Sequence, residues 1–198
     1  MIISLDLESA FCKINHAYLH KLLERLNFGY KIRDLIRMIY DNMYSAVLVN
    51  GAKTKYFKLN KSIRQGDGIS MNLFILTAEP LANLIRLDNR IEPVIIPNQP
   101  PKKISQYCDD TCIITRNVES ITATQKSTEI FEKGAGGYLN KDKTEIILFG
   151  KWSQREIERI PSNYLKINIK ILGIWFGPDS KTLNRDQITK KIDQVIKF

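Results

Sequence analysis

Two adjacent carboxylates, Asp109 and Asp110, lie between two β-prone apolar segments of the chain, residues 104–108 and 111–115. This pattern predicts a β-hairpin with both acids at its tip. Two neighbouring anions repel each other unless a cation neutralises them. A third acid, Asp6, directly follows an apolar strand at the start of the chain. Brought together, the three carboxylates would form a hard-oxygen site suited to Mg²⁺, and two such ions can clamp the attacking and leaving oxygens of a phosphoryl transfer.

The charge of the chain is compatible with a polyanionic substrate. Its 198 residues include 30 basic and 21 acidic side chains, which gives a net charge of +9. The excess lies in residues 51–100 and 151–198, whereas the acids of interest lie in near-neutral parts. A basic flank around an acidic metal centre suits a nucleic acid. A solvated basic surface explains the same charge equally well.

The remaining composition indicates a globular protein without membrane or secretion signals. Hydrophobic residues make up 43% of the chain, enough for a core. No apolar run is long enough to span a bilayer, and the N-terminus lacks the pattern of a signal peptide. The three cysteines, Cys12, Cys108 and Cys112, form no CxxC pair and are interpreted as reduced thiols. These features predict an intracellular protein, in the nucleus or the cytoplasm.

The elements that must position the acids alternate between helices and short strands. Helices are predicted from Asn15 to an end at Gly29, over 32–43, over 71–87 with Ser70 as cap and a kink or boundary at Pro80, near 119–133, and from Ile188 onward. Strands are predicted at 1–5, 46–49, 56–57, 144–149, 165–171 and 171–176, the last continuing its predecessor or pairing with it. Asn50-Gly51 signals a hairpin turn, 92–102 a surface loop and 134–137 a flexible break. The predicted class is α+β, an antiparallel sheet covered by helices.

Five short motifs occur in an order that resembles the reverse transcriptase palm, most closely that of non-LTR (LINE-type) retrotransposons. They are Asp6–Phe11 (motif A), Arg64–Ser70 (B), Tyr107–Asp110 (C), Asn140–Glu145 (D) and Ile171–Gly173 (E). The resemblance covers roughly residues 1–177. It implies a palm over 1–177 with part of the fingers, and the start of a thumb or connection over 178–198.

The resemblance implies an RNA-directed DNA polymerase that uses two Mg²⁺ ions, with Mn²⁺ as a possible substitute. Asp6 and Asp109 would bridge the metals, and the backbone carbonyl of Leu7 would add an oxygen. Successive strand side chains point to opposite faces, so Asp110 is expected to be auxiliary unless the turn redirects it.

The resemblance also assigns substrate contacts, each with a plainer alternative. Phe11 would lie under the incoming sugar and select deoxynucleotides, or be an ordinary core residue. Gln65 and Gly66 would pack on the nascent base pair, and Arg64 would touch template or phosphate, or form a surface salt bridge. Lys143 would meet pyrophosphate and donate a proton, or be a solvated lysine beside Lys141.

The remaining candidates have stronger structural explanations. Leu172-Gly173 would support the primer end, though core strand packing explains both residues almost as well. His16 and His20 would share a helix face, but no third zinc ligand is nearby. Trp152 and Trp175 fit core packing better than base stacking.

The chain departs from the family pattern at Cys12, Gly68 and Cys108, where Asp, Pro and Ala are usual. Gly68 would loosen a loop that places the base pair. Little precedes Asp6, so fingers, thumb and endonuclease regions of a longer polyprotein are expected to be missing. The implied partners are an RNA template, a DNA primer and a dNTP.

Three other functions remain open at this point. A catalytically inactive remnant would at most bind nucleic acid through its basic surface. A maturase-like intron protein would share the palm but carry a flanking RNA-binding domain. A nuclease could use the same acids but would leave Phe11, Gln65 and Lys143 unexplained.

Overall fold

The computed structural model describes residues 1–8 and 10–196. The α-helices are α1 (Ala10–Lys13), α2 (His16–Arg25), α3 (Tyr30–Tyr40), α4 (Ser70–Leu87), α5 (Glu119–Ala135), α6 (Gln154–Ile157) and α7 (Ser180–Ile196), with a 3₁₀ turn at Lys141–Lys143. The strands are β1 (Ile2–Leu5), β2 (Leu7–Glu8), β3 (Tyr44–Ser45), β4 (Leu48–Val49), β5 (Ala52–Lys53), β6 (Phe57–Lys58), β7 (Ile104–Tyr107), β8 (Asp110–Ile114), β9 (Tyr138–Leu139), β10 (Glu145–Ile147), β11 (Ile169–Ile171) and β12 (Ile174–Phe176).

A four-stranded antiparallel sheet forms the centre of the fold, in the order β10-β1-β8-β7. Ile3 of β1 lies opposite Ile113 of β8 on one side and Ile146 of β10 on the other. These three isoleucines are 0–2% exposed. Strand β1 therefore lies inside the sheet, with a paired strand on each side, and its apolar residues are buried there.

One face of this sheet packs against α4 and α5 and holds the core. Ile3, Leu5 and Ile113 belong to a single buried cluster with Phe74 of α4 and Phe131 of α5. Because side chains alternate along a strand, the residues between these positions point to the opposite face. The predicted α+β architecture, antiparallel strands covered by helices, is confirmed.

The first two predicted helices exist, but their junction differs from the prediction. Asn15 caps α2 by accepting a hydrogen bond from the Ala17 amide. The helix ends at Arg25 because Asn27 turns into the left-handed region, with φ of 57°. Gly29 is therefore the N-cap of α3 rather than the end of α2, and α3 covers residues 30–40 instead of 32–43.

Helix α4 passes through Pro80, so a boundary at this proline was the wrong alternative. The Tyr18 hydroxyl donates to the Thr77 carbonyl at 3.0 Å, in the turn before the proline. Ser70 does not cap the helix: Ile69 is the N-cap, and the buried Ser70 hydroxyl has no hydrogen-bond partner. A serine in front of an apolar run was a misleading signal, because the chain enters the helix one residue earlier.

Helix α5 agrees with the predicted helix near 119–133, but it extends through the first two residues of the break predicted at 134–137. Gly134 lies inside the helix, and Gly136 ends it with φ of 78°. A Cβ on Gly136 would lie 3.1 Å from the Lys13 carbonyl oxygen, so a glycine fits the close approach of these segments. Residues 92–102 form a loop with two isolated bridges, one between Val94 and Lys102 and one from Pro93 to Thr115.

Residues 44–58, the 44–58 hairpin, form two short ladders around Asn50-Gly51. β4 pairs with β5 and β3 pairs with β6. Asn50 and Gly51 have φ values of 48° and 83°, as a tight hairpin turn requires. The turn prediction is confirmed. The strand predicted at 46–49 is shorter, β4 at Leu48–Val49, and the strand predicted at 56–57 is β6 at Phe57–Lys58.

The C-terminal part differs most from the sequence reading. The alternating segment 165–171 is a strand only from Ile169, while Leu165 bridges Ile146 separately. β12 pairs with β11, and the strand predicted over 144–149 ends at Ile147. Helix α7 begins at Ser180 rather than Ile188. The prediction missed its first half because that half is polar and shows no apolar periodicity. Within the described ranges, every helix is too short or too polar to cross a bilayer.

Candidate active site

Pairing of β1 with β8 brings Asp6 and Asp110 together. Leu5 lies opposite Thr111 in the last pair of this ladder, so Asp6 follows that pair and Asp110 precedes it. Continued alternation places both acids on the face opposite to Leu5 and Thr111, away from the covering helices. The Asp6 side chain is 37% exposed. Two acids that are 104 positions apart therefore share one end of the open sheet face.

Asp109 lies in the two-residue turn of the β7–β8 hairpin, where Tyr107 pairs with Asp110. The hairpin is confirmed, but only Asp109 is at the tip, since Asp110 is the first residue of β8. Cys108 adopts a φ of 58°, which costs a non-glycine residue about 1–2 kcal/mol. Its Sγ lies 3.3 Å from the Sδ of Met71, so the turn contacts the first turn of α4.

Asp6 and Asp109 are close enough to Asp110 to affect its ionisation. Burial raises the pKa of the Asp110 carboxyl, and the negative charges of Asp109 and Asp6 raise it further. Such mutual repulsion is what a bound cation would relieve.

The donor chemistry suits a hard divalent ion, because carboxylate oxygens are the ligands such ions prefer. Within residues 1–8 and 10–196, no group of three histidine, cysteine, aspartate or glutamate side chains is close enough to hold a metal ion. Shared metal binding by Asp6, Asp109 and Asp110 therefore stays a prediction. The same holds for the Leu7 carbonyl, whose residue pairs with Leu139.

Lys143 forms an ion pair with one member of this acidic group, Asp6. Its Nζ lies 3.5 Å from Oδ2 of Asp6, and 68% of its side chain is exposed. The 3₁₀ turn that carries Lys143 is fixed by Asn140, whose amide donates to the Asp6 carbonyl at 2.8 Å. The lysine is therefore paired with the candidate site rather than only solvated. Its contact with pyrophosphate stays a prediction.

Phe11 is half-buried and stacks on Phe74, with ring centroids 4.3 Å apart and planes 19° apart. It packs against the edge of the main core cluster. This contact agrees with the structural alternative. The sugar-facing role is not tested by it and stays a prediction.

Arg64, Gln65 and Gly66 lie in an exposed loop before α4. Gly66 has a φ of 86°, and no atom lies within 4 Å of a Cβ built there, so its backbone is open to a ligand. Neither a hydrogen bond nor an ion pair joins this loop to the three carboxylates in the described part of the chain. Arg64 also forms no salt bridge with any residue that the structure describes, so the interpretation of Arg64 as part of a surface salt bridge gains no support.

Leu172 and Gly173 form the turn between β11 and β12, with φ values of 50° and 84°. Leu172 is 54% exposed, so core packing does not account for it. The Gly173 carbonyl accepts a hydrogen bond from the Gln187 side chain of α7. Their role at a primer end stays a prediction.

The two histidines bond to different partners. His16 Nε2 lies 2.9 Å from the Ser62 carbonyl, and His20 Nε2 lies 2.8 Å from Asp41.

Trp152 packs against the core and donates to the Phe149 carbonyl, as the core interpretation expects. Trp175 is half-buried beside Lys170. Cys12, Cys108 and Cys112 are free thiols, as predicted.

Sequence reasoning missed the positioning role of Asn140. Besides its bond to Asp6, its side chain accepts from the Lys143 amide and its carbonyl accepts from the Thr144 hydroxyl. An asparagine directly before a short turn is a typical cap, so the signal was present in the sequence.

Comparison with known proteins gives a consistent result. Residues 1–176 match the family model of the reverse transcriptase (RNA-dependent DNA polymerase). The chain is 23% identical over 193 residues to the uncharacterized 149 kDa protein of transposon TX1 from Xenopus laevis. It is 24% identical over 189 residues to the retrovirus-related Pol polyprotein of the type-1 retrotransposable element R2 from Popillia japonica.

These matches cover 94% and 89% of the chain but only 14% and 30% of the two relatives. Among solved structures, telomerase from Candida albicans, in complex with a TWJ fragment of telomeric RNA, aligns with a TM-score of 0.58 at 11% identity. That alignment covers 89% of this chain and 29% of the telomerase chain, and it shows a shared fold.

Proposed function

This chain belongs to the reverse transcriptase family, and we propose that it is the catalytic core of an RNA-directed DNA polymerase from a non-LTR retrotransposon. The reaction would join the primer 3′-oxygen to the α-phosphorus of a dNTP and break the bond to pyrophosphate. The supporting observation is the position of Asp6 beside Asp110 on the open sheet face, with Asp109 in the adjoining turn.

The family uses divalent metal ions, and the carboxylates of this chain are the groups that would hold them. We assign Asp6 and Asp109 as principal ligands, Asp110 as an auxiliary ligand and the Leu7 carbonyl as a further oxygen. When bound, two Mg²⁺ ions would stabilise charge on the attacking and leaving oxygens, and Mn²⁺ could replace them.

Lys143 would act on the leaving group. An ammonium beside Asp6 can attract the departing pyrophosphate and donate a proton to its oxygen. Its stem is mostly exposed, so the side chain is free to change partner when a triphosphate arrives.

The remaining assigned residues would position substrates. The Phe11 ring, anchored on Phe74, would exclude a ribose 2′-hydroxyl. Gln65 and Gly66 would pack on the nascent base pair, and Arg64 would contact template or phosphate. RNA template, DNA primer and dNTP are the proposed partners.

The relatives' lengths support a longer functional polypeptide. Because the chain spans small fractions of them, we propose that fingers, thumb and endonuclease regions belong to that longer polyprotein. We further propose residues 1–177 as palm with part of the fingers and 178–198 as the start of the thumb or connection.

The decisive experiment is primer extension on an RNA template with Mg²⁺. Asp109→Asn should reduce extension by at least about 100-fold, because it removes a charge that holds the metal. Asp193→Asn on the exposed part of α7 is a matched control and should leave extension unchanged. Equal activity of the wild type and Asp109→Asn would contradict the site assignment.

Metal binding tests the same site without turnover. Electron paramagnetic resonance of Mn²⁺ should show an ion bound by the wild type and released by Asp109→Asn. Absence of both binding and extension would instead favour the catalytically inactive remnant, which binds nucleic acid only.

A further inference from the structure

The 44–58 hairpin has a charge composition unlike the rest of the chain. Residues 42–66 contain no acidic side chain and five basic ones. Three of the five, Lys53, Lys55 and Lys58, lie within the hairpin and are exposed. A surface that serves only solubility usually mixes both signs of charge. This segment therefore presents an unbalanced positive surface outside the candidate active site.

Three aromatic rings are exposed on the same short segment. Tyr44, Tyr56 and Phe57 are 56%, 65% and 45% exposed. Aromatic side chains normally contribute large buried areas to a core or an interface. None of these rings belongs to the main core cluster or to the residues packed against it. Their burial would thus need a partner from outside the described structure.

The pairing of the strands places lysines beside the rings. Tyr44 lies opposite Lys58 in the β3–β6 ladder, so their side chains share a face. The Lys53 ammonium lies 4.2 Å from the centre of the Tyr56 ring. A hydrogen bond from the Thr54 amide to the Val47 carbonyl joins the two ladders. A lysine therefore lies beside two of the three rings, Tyr44 and Tyr56, on one hairpin.

We propose that the 44–58 hairpin binds a single-stranded polynucleotide. Bases would stack on Tyr44, Tyr56 and Phe57, while the lysines neutralise the adjacent phosphates. A duplex fits less well because its base faces are already stacked. A protein partner also fits less well, because lysine is depleted in protein interfaces. The site extends the proposed function by supplying a second contact for nucleic acid, but it requires neither the carboxylates nor a metal.

Binding to a labelled oligonucleotide tests the stacking part of this proposal. Fluorescence anisotropy of the full chain would use fluorescein-labelled oligo-U RNA and oligo-dT, each about 15 nucleotides, and a duplex of equal length, all in EDTA. Tyr56→Ala should weaken single-strand binding by about 5-fold or more, the loss expected for one stacked base. Tyr30→Ala is the matched control, since Tyr30 on α3 is also 65% exposed. It should change binding by less than twofold.

The salt dependence tests the phosphate contacts. Lys55→Gln should lower the slope of log K against log salt by about 0.7, as one lost phosphate contact on a single strand predicts. Lys31→Gln on α3 should leave the slope unchanged. Photo-crosslinking of a 4-thiouridine oligonucleotide should label peptides that contain Tyr44 or Tyr56.

Three results would overturn the proposal. The first is equal binding by Tyr56→Ala and Tyr30→Ala, and the second is crosslinks confined to other segments. The third is a concentration-dependent dimer that Tyr56→Ala dissolves without any effect on oligonucleotide binding. That outcome would assign Val47, Leu48 and Val49, which are also exposed, to an interface between copies of the chain. Because these measurements need no turnover, they distinguish failure of this site from failure of the proposed polymerase activity.

Discussion

The central sheet and the 44–58 hairpin are both antiparallel, but they bury their side chains very differently. Ile3, Ile113 and Ile146 of the sheet are almost fully buried, whereas Leu48 and Val49 of the hairpin are 69% and 56% exposed. The sheet also packs against α4 and α5 on one face, whereas each ladder of the hairpin consists of only two residue pairs. Strand pairing alone therefore does not determine how firmly side chains are held in place, because the two paired regions bury their side chains to very different extents. The acids that we assign to catalysis lie at one end of the packed sheet and in its adjoining turn, whereas the groups that we propose to contact nucleic acid lie on the hairpin.

The largest expected effect is on the rate of nucleotide addition, which should depend on the candidate active site and not on the hairpin. Lys143→Gln should slow primer extension by about 10²- to 10⁴-fold if the lysine donates a proton to pyrophosphate. Lys58→Gln in the hairpin should leave the single-turnover rate at saturating substrate unchanged. Quench-flow measurement of one nucleotide addition provides the rate. Equal slowing by both variants would remove the functional distinction between the two regions.

The next effect concerns stability. Ile113→Ala should lower the free energy of unfolding by about 2–5 kcal/mol, because it leaves a cavity under the sheet. Leu48→Ala in the hairpin should cost less than about 0.5 kcal/mol, since its side chain is already in solvent. Urea unfolding followed by circular dichroism measures both. A similar cost at the two positions would mean that the hairpin is packed more firmly than its exposure indicates.

The smallest effect is electrostatic and confined to the sheet. The folded chain raises the pKa of Asp110, so it holds that proton more tightly than the unfolded chain does. Ionisation of Asp110 therefore destabilises the fold as pH rises through and above the ordinary range of an aspartate. Asp110→Asn should be more stable than the wild type at neutral pH in EDTA, by less than about 1 kcal/mol because solvent screens exposed charges.

This advantage should disappear as the pH falls below the ordinary aspartate range, where Asp110 is protonated in both states. The hairpin contains no acid, so Asp193→Asn on α7 serves as the reference and should show no such trend. An advantage that persisted in acid would indicate a packing effect rather than relief of repulsion.

Sequence reasoning worked where the signal is local. Two hairpins were predicted because turn residues separate β-prone runs, and both ladders form. The Asn50-Gly51 turn is at its predicted place, whereas the turn predicted at Asp109-Asp110 lies one residue earlier, at Cys108-Asp109. It failed at helix boundaries that hydrophobic periodicity does not mark. Neither the end of α2 at Arg25 nor the start of α7 at Ser180 is revealed by such a pattern.

The candidate site was predictable in its members but not in its geometry. The order of the motifs led to the prediction of Asp6, Asp109 and Asp110 as site residues, and the pairing of β1 with β8 places Asp6 beside Asp110. The contact of Lys143 with Asp6 depends on how Asn140 anchors the 3₁₀ turn, which no spacing rule contains. The same holds for the sulfur contact between Cys108 and Met71, which lie 37 positions apart.

The central place of β1 also has a consequence for how the protein is made. This strand leaves the ribosome before both of its partners, β8 and β10, which follow more than 100 positions later. Closing so long a loop is entropically costly and slow compared with forming local helices. A growing chain would therefore carry Asp6 without Asp109 and Asp110 while more than 100 further residues are added. The three acids should come together only after helices α2, α3 and α4, which lie between these strands in the sequence, have had time to form.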